Sequence, residues 1–193
     1  RGLKNIHYDK LYILDVWGYK GSYYLFENGT DVPRKDTLSL LNFIMSKKRY
    51  KQIVTLGTSK GGTAAIYYGL TIKASTIIAG ACQYNLGNYL ILPEHIEIFK
   101  GMMGEEAGTV EKDKLNSILP MLLERCSKET FFTTIHLVYS KYEHTYEDDI
   151  VDLLKKLKEC HYSVIEKEYD FLNHNDVGIY FKKYINDFFA TIS

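Results

Sequence analysis

Short apolar runs rich in β-branched and aromatic residues recur at 11–17, 52–56, 75–81, 133–139 and 162–169. Runs of that length, bounded by polar or glycine-bearing stretches, predict buried strands. Between them the apolar positions change to helical spacing. Leu38, Leu41 and Ile44 follow Asp36; Ile150, Leu153, Leu154 and Leu157 follow Thr145; Val177, Phe181, Tyr184 and Phe188 follow Asn175. Asp36, Thr145 and Asn175 are the candidate N-caps, the second supported by Asp148 three positions on. Strands alternating with helices predict βα units. The expected architecture is an α/β three-layer α-β-α sandwich with a mostly parallel sheet.

Residues 83–126 break the alternation, being longer than a single crossover and containing the Gly- and Met-bearing stretch 100–108. In an open α/β sheet the ligand site lies beyond the carboxyl ends of the strands. An insertion leaving a strand end near Cys82 is therefore a candidate lid; an ordinary pair of crossover helices fits equally well.

Length and composition narrow the class. The 193 residues fit one domain, 1–193, and 46% apolar content supplies a core. The chain starts at Arg1 rather than Met and runs at once into an apolar segment, so a fragment of a longer protein is one expectation. Twenty-four basic and 24 acidic residues cancel, which leaves no field to draw the protein onto nucleic acid or an acidic membrane. No run of eighteen apolar residues offers a membrane span, and the first ten residues do not read as a signal peptide. Cys82, Cys126 and Cys160 are odd in number and lack a C-x-x-C pair. That pattern argues against a disulfide framework and a zinc site and for a reducing, cytoplasmic compartment.

Candidate chemistry concentrates in Ile53 through Ala65, an apolar strand, a glycine-rich turn and a small-residue helix. Gly57-Thr58-Ser59-Lys60-Gly61 is a G-x-S-x-G nucleophile elbow in that context: a strained strand-to-helix turn exposes the serine, and flanking glycines make room for it. The turn sets the Lys60 backbone N–H at a helix start, where an oxyanion would develop. A phosphate-cradling loop is the rival reading, but Lys60 precedes the glycine pair, whereas a P-loop lysine follows its glycine.

A serine nucleophile needs a base, and the order expected for such an elbow is Ser, acid, His. His7 precedes the elbow, His136 alternates within an apolar strand, and His161 sits at a strand start. His95 and His144 remain open, but His174, in the loop between the last strand and the last helix, is preferred. For the acid, Glu143 lies just past the fourth apolar run and could fix the imidazole tautomer. Glu147, Asp148 and Asp149 are rivals that fall in a first helical turn, where acidic residues complement the helix dipole.

The run Leu56-Gly57-Thr58-Ser59-Lys60-Gly61-Gly62-Thr63-Ala64-Ala65, continuing to Leu70, and the downstream Ala79-Gly80-Ala81-Cys82-Gln83-Tyr84-Asn85-Leu86-Gly87-Asn88-Tyr89-Leu90 resemble the serine-hydrolase domain of accessory Sec secretion-system acetyltransferases and related capsule-biosynthesis proteins. The resemblance covers most of the chain. It implies an α/β-hydrolase fold, O-acetyl transfer or esterase chemistry on sugars, and a Ser, Glu, His triad that maps onto Ser59, Glu143 and His174. Neither metal nor organic cofactor is expected.

The segment Asp15 to Tyr24 closes the first apolar run with glycines. It could supply a second oxyanion N–H from Trp17 or Gly18, or only border the site. Tyr23, Tyr24, Tyr84 and Tyr89 are candidate stacking residues for a sugar, although with 17 tyrosines in the chain core positions suit them better. Two functions from different classes follow. One is serine-dependent acyl transfer on a small-molecule or glycan substrate; the other is a catalytically silent module binding protein partners in a secretion or glycan-assembly complex.

Overall fold

The computed structural model describes residues 8–192. Four strands, β1 (Val54–Thr58), β2 (Thr76–Gly80), β3 (Thr134–Tyr139) and β4 (Ser163–Glu168), form one sheet in the order β1-β2-β3-β4. Every neighbouring pair is parallel, so all four carboxyl ends open on the same edge. The helices are α1 (Val32–Met45), α2 (Lys60–Thr71), α3 (Leu86–Leu90), α4 (Ile96–Met103), α5 (Thr109–Cys126), α6 (Val151–Glu159) and α7 (Val177–Thr191).

The two central strands are apolar on both faces because both are covered. Ile77, Ala79, Ile135 and Leu137 pack into the main core with Ile66 of α2, Leu119 and Leu123 of α5 and Leu153 and Leu157 of α6. Ile78 and Val138 point the other way, onto Phe181, Tyr184, Ile185 and Phe189 of α7. The three layers are therefore unequal, α7 covering one face against several helices on the other. At the β4 edge, Glu166, Lys167 and Glu168 place charge along the strand, which discourages pairing with another chain.

Residues 83–126 fold as α3, α4 and α5. α5 is part of the main helical layer, packed on α2 and α6. The backbone N–H groups of Asn28 and Gly29 donate to the carbonyls of Gly101 and Met102, each at 2.9 Å, tying α4 to the loop before α1.

The 11–17 run does not form the expected strand. It has no regular secondary structure, Leu14 and Val16 are 78% and 75% exposed, and β propensity yields no ladder without a partner strand and a buried face. Helix starts also move. α1 begins at Val32, with Pro33 in its first turn and Asp31 preceding it, rather than after Asp36, because proline is preorganised for an opening turn. Asn175 lies inside a 3-10 turn, His174–Asp176, that leads into α7. His7 falls outside the described residues.

Candidate active site

The elbow forms where β1 meets α2. Ser59 has φ 51° and ψ −125°, a left-handed φ that costs a non-glycine residue on the order of 1–3 kcal/mol. The backbone around it holds the conformation: Ser59 N–H donates to the Gly80 carbonyl at 2.8 Å, and its own carbonyl accepts from the N–H groups of Gly62 and Thr63. Close approach explains the glycines. A Cβ on Gly57 would stand 2.3 Å from the Gly61 carbonyl oxygen, and one on Gly62 would stand 2.9 Å from Cys82 Cβ. Helix α2 thus crosses β1 and β2 at backbone distance, which fixes the serine beyond the strand ends.

Three of the expected residues meet there. His174 Nε2 is 2.8 Å from Ser59 Oγ, and His174 Nδ1 is 3.1 Å from Glu143 Oε2. They come from the ends of three strand units, Ser59 after β1, Glu143 after β3 and His174 after β4. The Glu143 side chain is fully buried. Burial raises its pKa, but hydrogen bonds from His174 and Thr145 outweigh that and hold the carboxylate below its ordinary value. Thr145 donates its hydroxyl to Oε1 and its N–H to Oε2, the latter at 3.3 Å. Thr145 stands at the expected N-cap position, before the turn Tyr146–Ile150, but makes no side-chain cap bond there; its hydroxyl orients the acid instead.

The other histidines take lesser places. His136 is buried in β3 and hydrogen-bonds the Tyr184 hydroxyl; burial lowers its pKa. His95 stacks on Tyr89 with ring centres 4.2 Å apart. His144 is half exposed and lies 5.2 Å, ring to ring, from His174. Among the described residues, Glu143, His144 and His174 bring one ligand atom each within 4.8 Å. A cation there would replace the His174–Glu143 hydrogen bond.

The acidic rivals to Glu143 separate by environment. Asp149 is buried in a π-helical turn, Tyr146–Ile150, and its Oδ1 accepts the N–H groups of Tyr84 and Asn85, each at 2.7 Å. It braces the chain after β2 rather than the histidine. Burial raises its pKa from 3.8 to about 6 despite those bonds. Between these values the folded state holds a proton that the unfolded chain has released, so this group's stabilisation is full below its unfolded pKa and lost as pH rises through about 6. Asp149→Asn keeps an acceptor and removes the buried charge. It is expected to exceed wild type in stability near pH 7 by up to about 3 kcal/mol, the gap closing toward pH 4 in urea unfolding curves.

Lys60 has two roles by position. Its backbone N–H, at the first position of α2, has no intrahelical acceptor. Its ammonium lies 3.0 Å from Asp15 Oδ2 and donates to the Lys20 carbonyl at 3.2 Å. Asp15, with its side chain 2% exposed, also accepts from the Ser22 N–H at 2.8 Å and its hydroxyl at 3.3 Å. The lysine therefore clamps the 15–22 loop to the elbow, and an ammonium engaged with a carboxylate weakens the phosphate-cradle alternative further. The Gly18 N–H donates to Glu27 Oε1 at 3.0 Å. That removes Gly18 as an oxyanion donor in this conformation and leaves Trp17 as the loop's candidate.

The tyrosine expectations divide. Tyr23 and Tyr84 are buried in the core, so their rings are not free to stack on a sugar. Tyr24 is half-buried, its hydroxyl donating to the Ile13 carbonyl at 3.0 Å and its ring meeting the edge of Trp17. Tyr89 keeps a partly exposed ring beside His95, whose pKa burial lowers. Sequence reasoning missed Gln83: fully buried just past β2, its Nε2 is 3.4 Å from Ser59 Oγ. The available signal was a glutamine three residues past the apolar strand, inside the run Ala79 to Leu90.

No protein-family model and no curated protein matches the sequence. Solved structures do. The capsule O-acetyltransferase of Neisseria meningitidis serogroup A superposes with a TM-score of 0.69 at 21% identity, over 89% of this chain and 68% of that one; the same enzyme has been solved with CoA. A glycosylation-associated protein complex from Streptococcus agalactiae matches at TM-score 0.64 and 20% identity, over 86% of this chain and 34% of that one. A fluorophosphonate-binding serine hydrolase of Staphylococcus aureus matches at 0.62 and 14%, over 87% and 68%. The chain has an α/β-hydrolase-like fold.

Proposed function

We propose that this α/β-hydrolase-like chain carries out serine-dependent acyl transfer, as an esterase or O-acetyltransferase acting on acetylated or acetylatable carbohydrate. The observation that carries the reading is the hydrogen-bonded series Ser59 Oγ, His174 Nε2, His174 Nδ1, Glu143 Oε2, at 2.8 Å and 3.1 Å, on the carboxyl edge of the sheet. His174 takes the Ser59 proton on Nε2 as Oγ bonds the acyl carbon, and Glu143 stabilises the imidazolium through Nδ1. Collapse of the tetrahedral adduct breaks the bond to the leaving group, which takes that proton. Water or a sugar hydroxyl then gives a proton to His174 and attacks the acyl-enzyme, and as the second adduct collapses the bond from Oγ to the acyl carbon breaks and His174 returns that proton to Ser59. The Lys60 N–H serves as an oxyanion donor.

Several features support the finer points. The O-acetyltransferase neighbour suggests a sugar acceptor, and its complex with CoA makes an acyl thioester the first donor to test. Tyr89 and Tyr24 are the remaining aromatic candidates at the rim, with α3 and α4 as the candidate lid. A reducing, cytoplasmic compartment belongs to the same proposal. No helix among the described residues is long and apolar enough to cross a membrane. The rival reading, a silent module in a protein assembly, draws on the glycosylation-complex neighbour.

Aryl esters from acetate to decanoate test the substrate class. The buried polar amide of Gln83 beside Ser59 favours short acyl chains, so the rate is expected to peak at acetate and fall with length. A sugar acceptor should divert the acyl group from water. A lipid esterase would gain roughly fourfold per methylene, from about 0.8 kcal/mol of burial each. A maximum at octanoate or longer discards the carbohydrate reading, and no turnover of any ester favours the silent module.

A further inference from the structure

Gln83 has no solvent exposure, and a buried primary amide is costly unless its polar atoms find partners. Its backbone is fastened to α2: the Gln83 N–H donates to Thr63 Oγ1 at 3.0 Å, and its carbonyl accepts the Thr63 hydroxyl at 2.9 Å. The side chain is fastened to the 15–24 loop, since Tyr23 donates its hydroxyl to Gln83 Oε1 at 3.3 Å. Burial, aided by the nearby acidic groups, raises the Tyr23 pKa well above its ordinary value, so the phenol stays a proton donor. With Oε1 committed to that donor, the amide nitrogen faces Ser59 Oγ at 3.4 Å.

We infer that the Gln83 side-chain amide donates a hydrogen bond to the oxyanion of the tetrahedral adduct, completing with the Lys60 N–H a two-donor oxyanion hole. The inference rests on the acyl-transfer reading above. In the resting site the Ser59 hydroxyl donates to His174, which leaves an Oγ lone pair facing Gln83. When Oγ bonds the acyl carbon, the carbonyl oxygen becomes an anion on that same carbon, two bonds from Oγ. A donor positioned for that oxygen stands slightly too far from Oγ beforehand, as the 3.4 Å separation does. The Gly18 N–H is spent on Glu27, and Gln83 is a donor independent of the 17–18 loop, whose remaining candidate is Trp17.

Gln83→Ala and the isosteric Gln83→Glu separate this role from packing. Both are expected to lower kcat by about 100- to 1000-fold while KM changes little. Fluorophosphonate labelling should slow in parallel, and a boronic acid mimic of the adduct should lose affinity when a ground-state substrate analogue does not. Tyr23→Phe, which releases Oε1 but keeps the donor, should cost less than Gln83→Ala. If Gln83→Ala fails to fold, Gln83→Glu decides. Wild-type labelling with Gln83→Glu labelling equally fast overturns the oxyanion role and spares the acyl-transfer reading. Equal loss of affinity for the boronic acid and the substrate analogue also overturns it. Absence of wild-type labelling overturns both.

Discussion

Ser59→Ala and His174→Ala are each expected to cut ester turnover by about five to six orders of magnitude, with the double variant little worse than either single one. The hydroxyl and the imidazole act as one unit: His174 Nε2 has no proton to take if Ser59 lacks its oxygen, and Ser59 stays a neutral hydroxyl if the imidazole is gone. The 2.8 Å contact between them is already at proton-transfer distance. Initial rates on an aryl acetate, with melting curves to confirm folding, test this; additive losses in the double variant would show that the two residues work independently.

The second large effect is expected at Glu143. Glu143→Gln should lower kcat about 10⁴-fold, because the amide cannot stabilise an imidazolium and can donate to His174 Nδ1, holding the wrong tautomer. Asp148→Asn and Asp149→Asn should stay near the wild-type rate, since Asp149 contacts the backbone of Tyr84 and Asn85 rather than the histidine. Steady-state kinetics on the three variants check it; an asparagine variant slower than Glu143→Gln would move the acid into the helix.

The glycine-flanked turn at Ser59 was legible because its constraint is local, whereas Glu143 and His174 were proposed from chain order and resemblance. A glycine pattern after an apolar strand dictates the strained serine turn, and chain order places an acid and a histidine after later strands. Strands β1 to β4 were legible for a similar reason: their apolar runs are short, β-branched and bounded. What was hidden depends on distant partners. The 11–17 run has the composition of a strand but no ladder, and only the folded arrangement shows that Asp15 in it meets Lys60. Thr145 looked like a cap because caps and carboxylate clamps use the same hydroxyl chemistry. The tyrosines could not be sorted by residue type, since ring burial is decided by packing. Gln83 stood only as one residue of the run Ala79 to Leu90, and its meaning comes from two separate segments converging on it, the loop that carries Tyr23 and the elbow with α2 that carries Ser59 and Thr63.

The central claim is that Ser59 is an activated hydroxyl, and covalent labelling tests it most directly. Folded wild-type protein treated with a fluorophosphonate, digested and mapped by mass spectrometry should carry one phosphonyl group, on Ser59. His174→Ala should label far more slowly, and Ser59→Ala should not label. Folded wild type that stays unlabelled, or that carries the label on another residue while Ser59 remains free, contradicts the account.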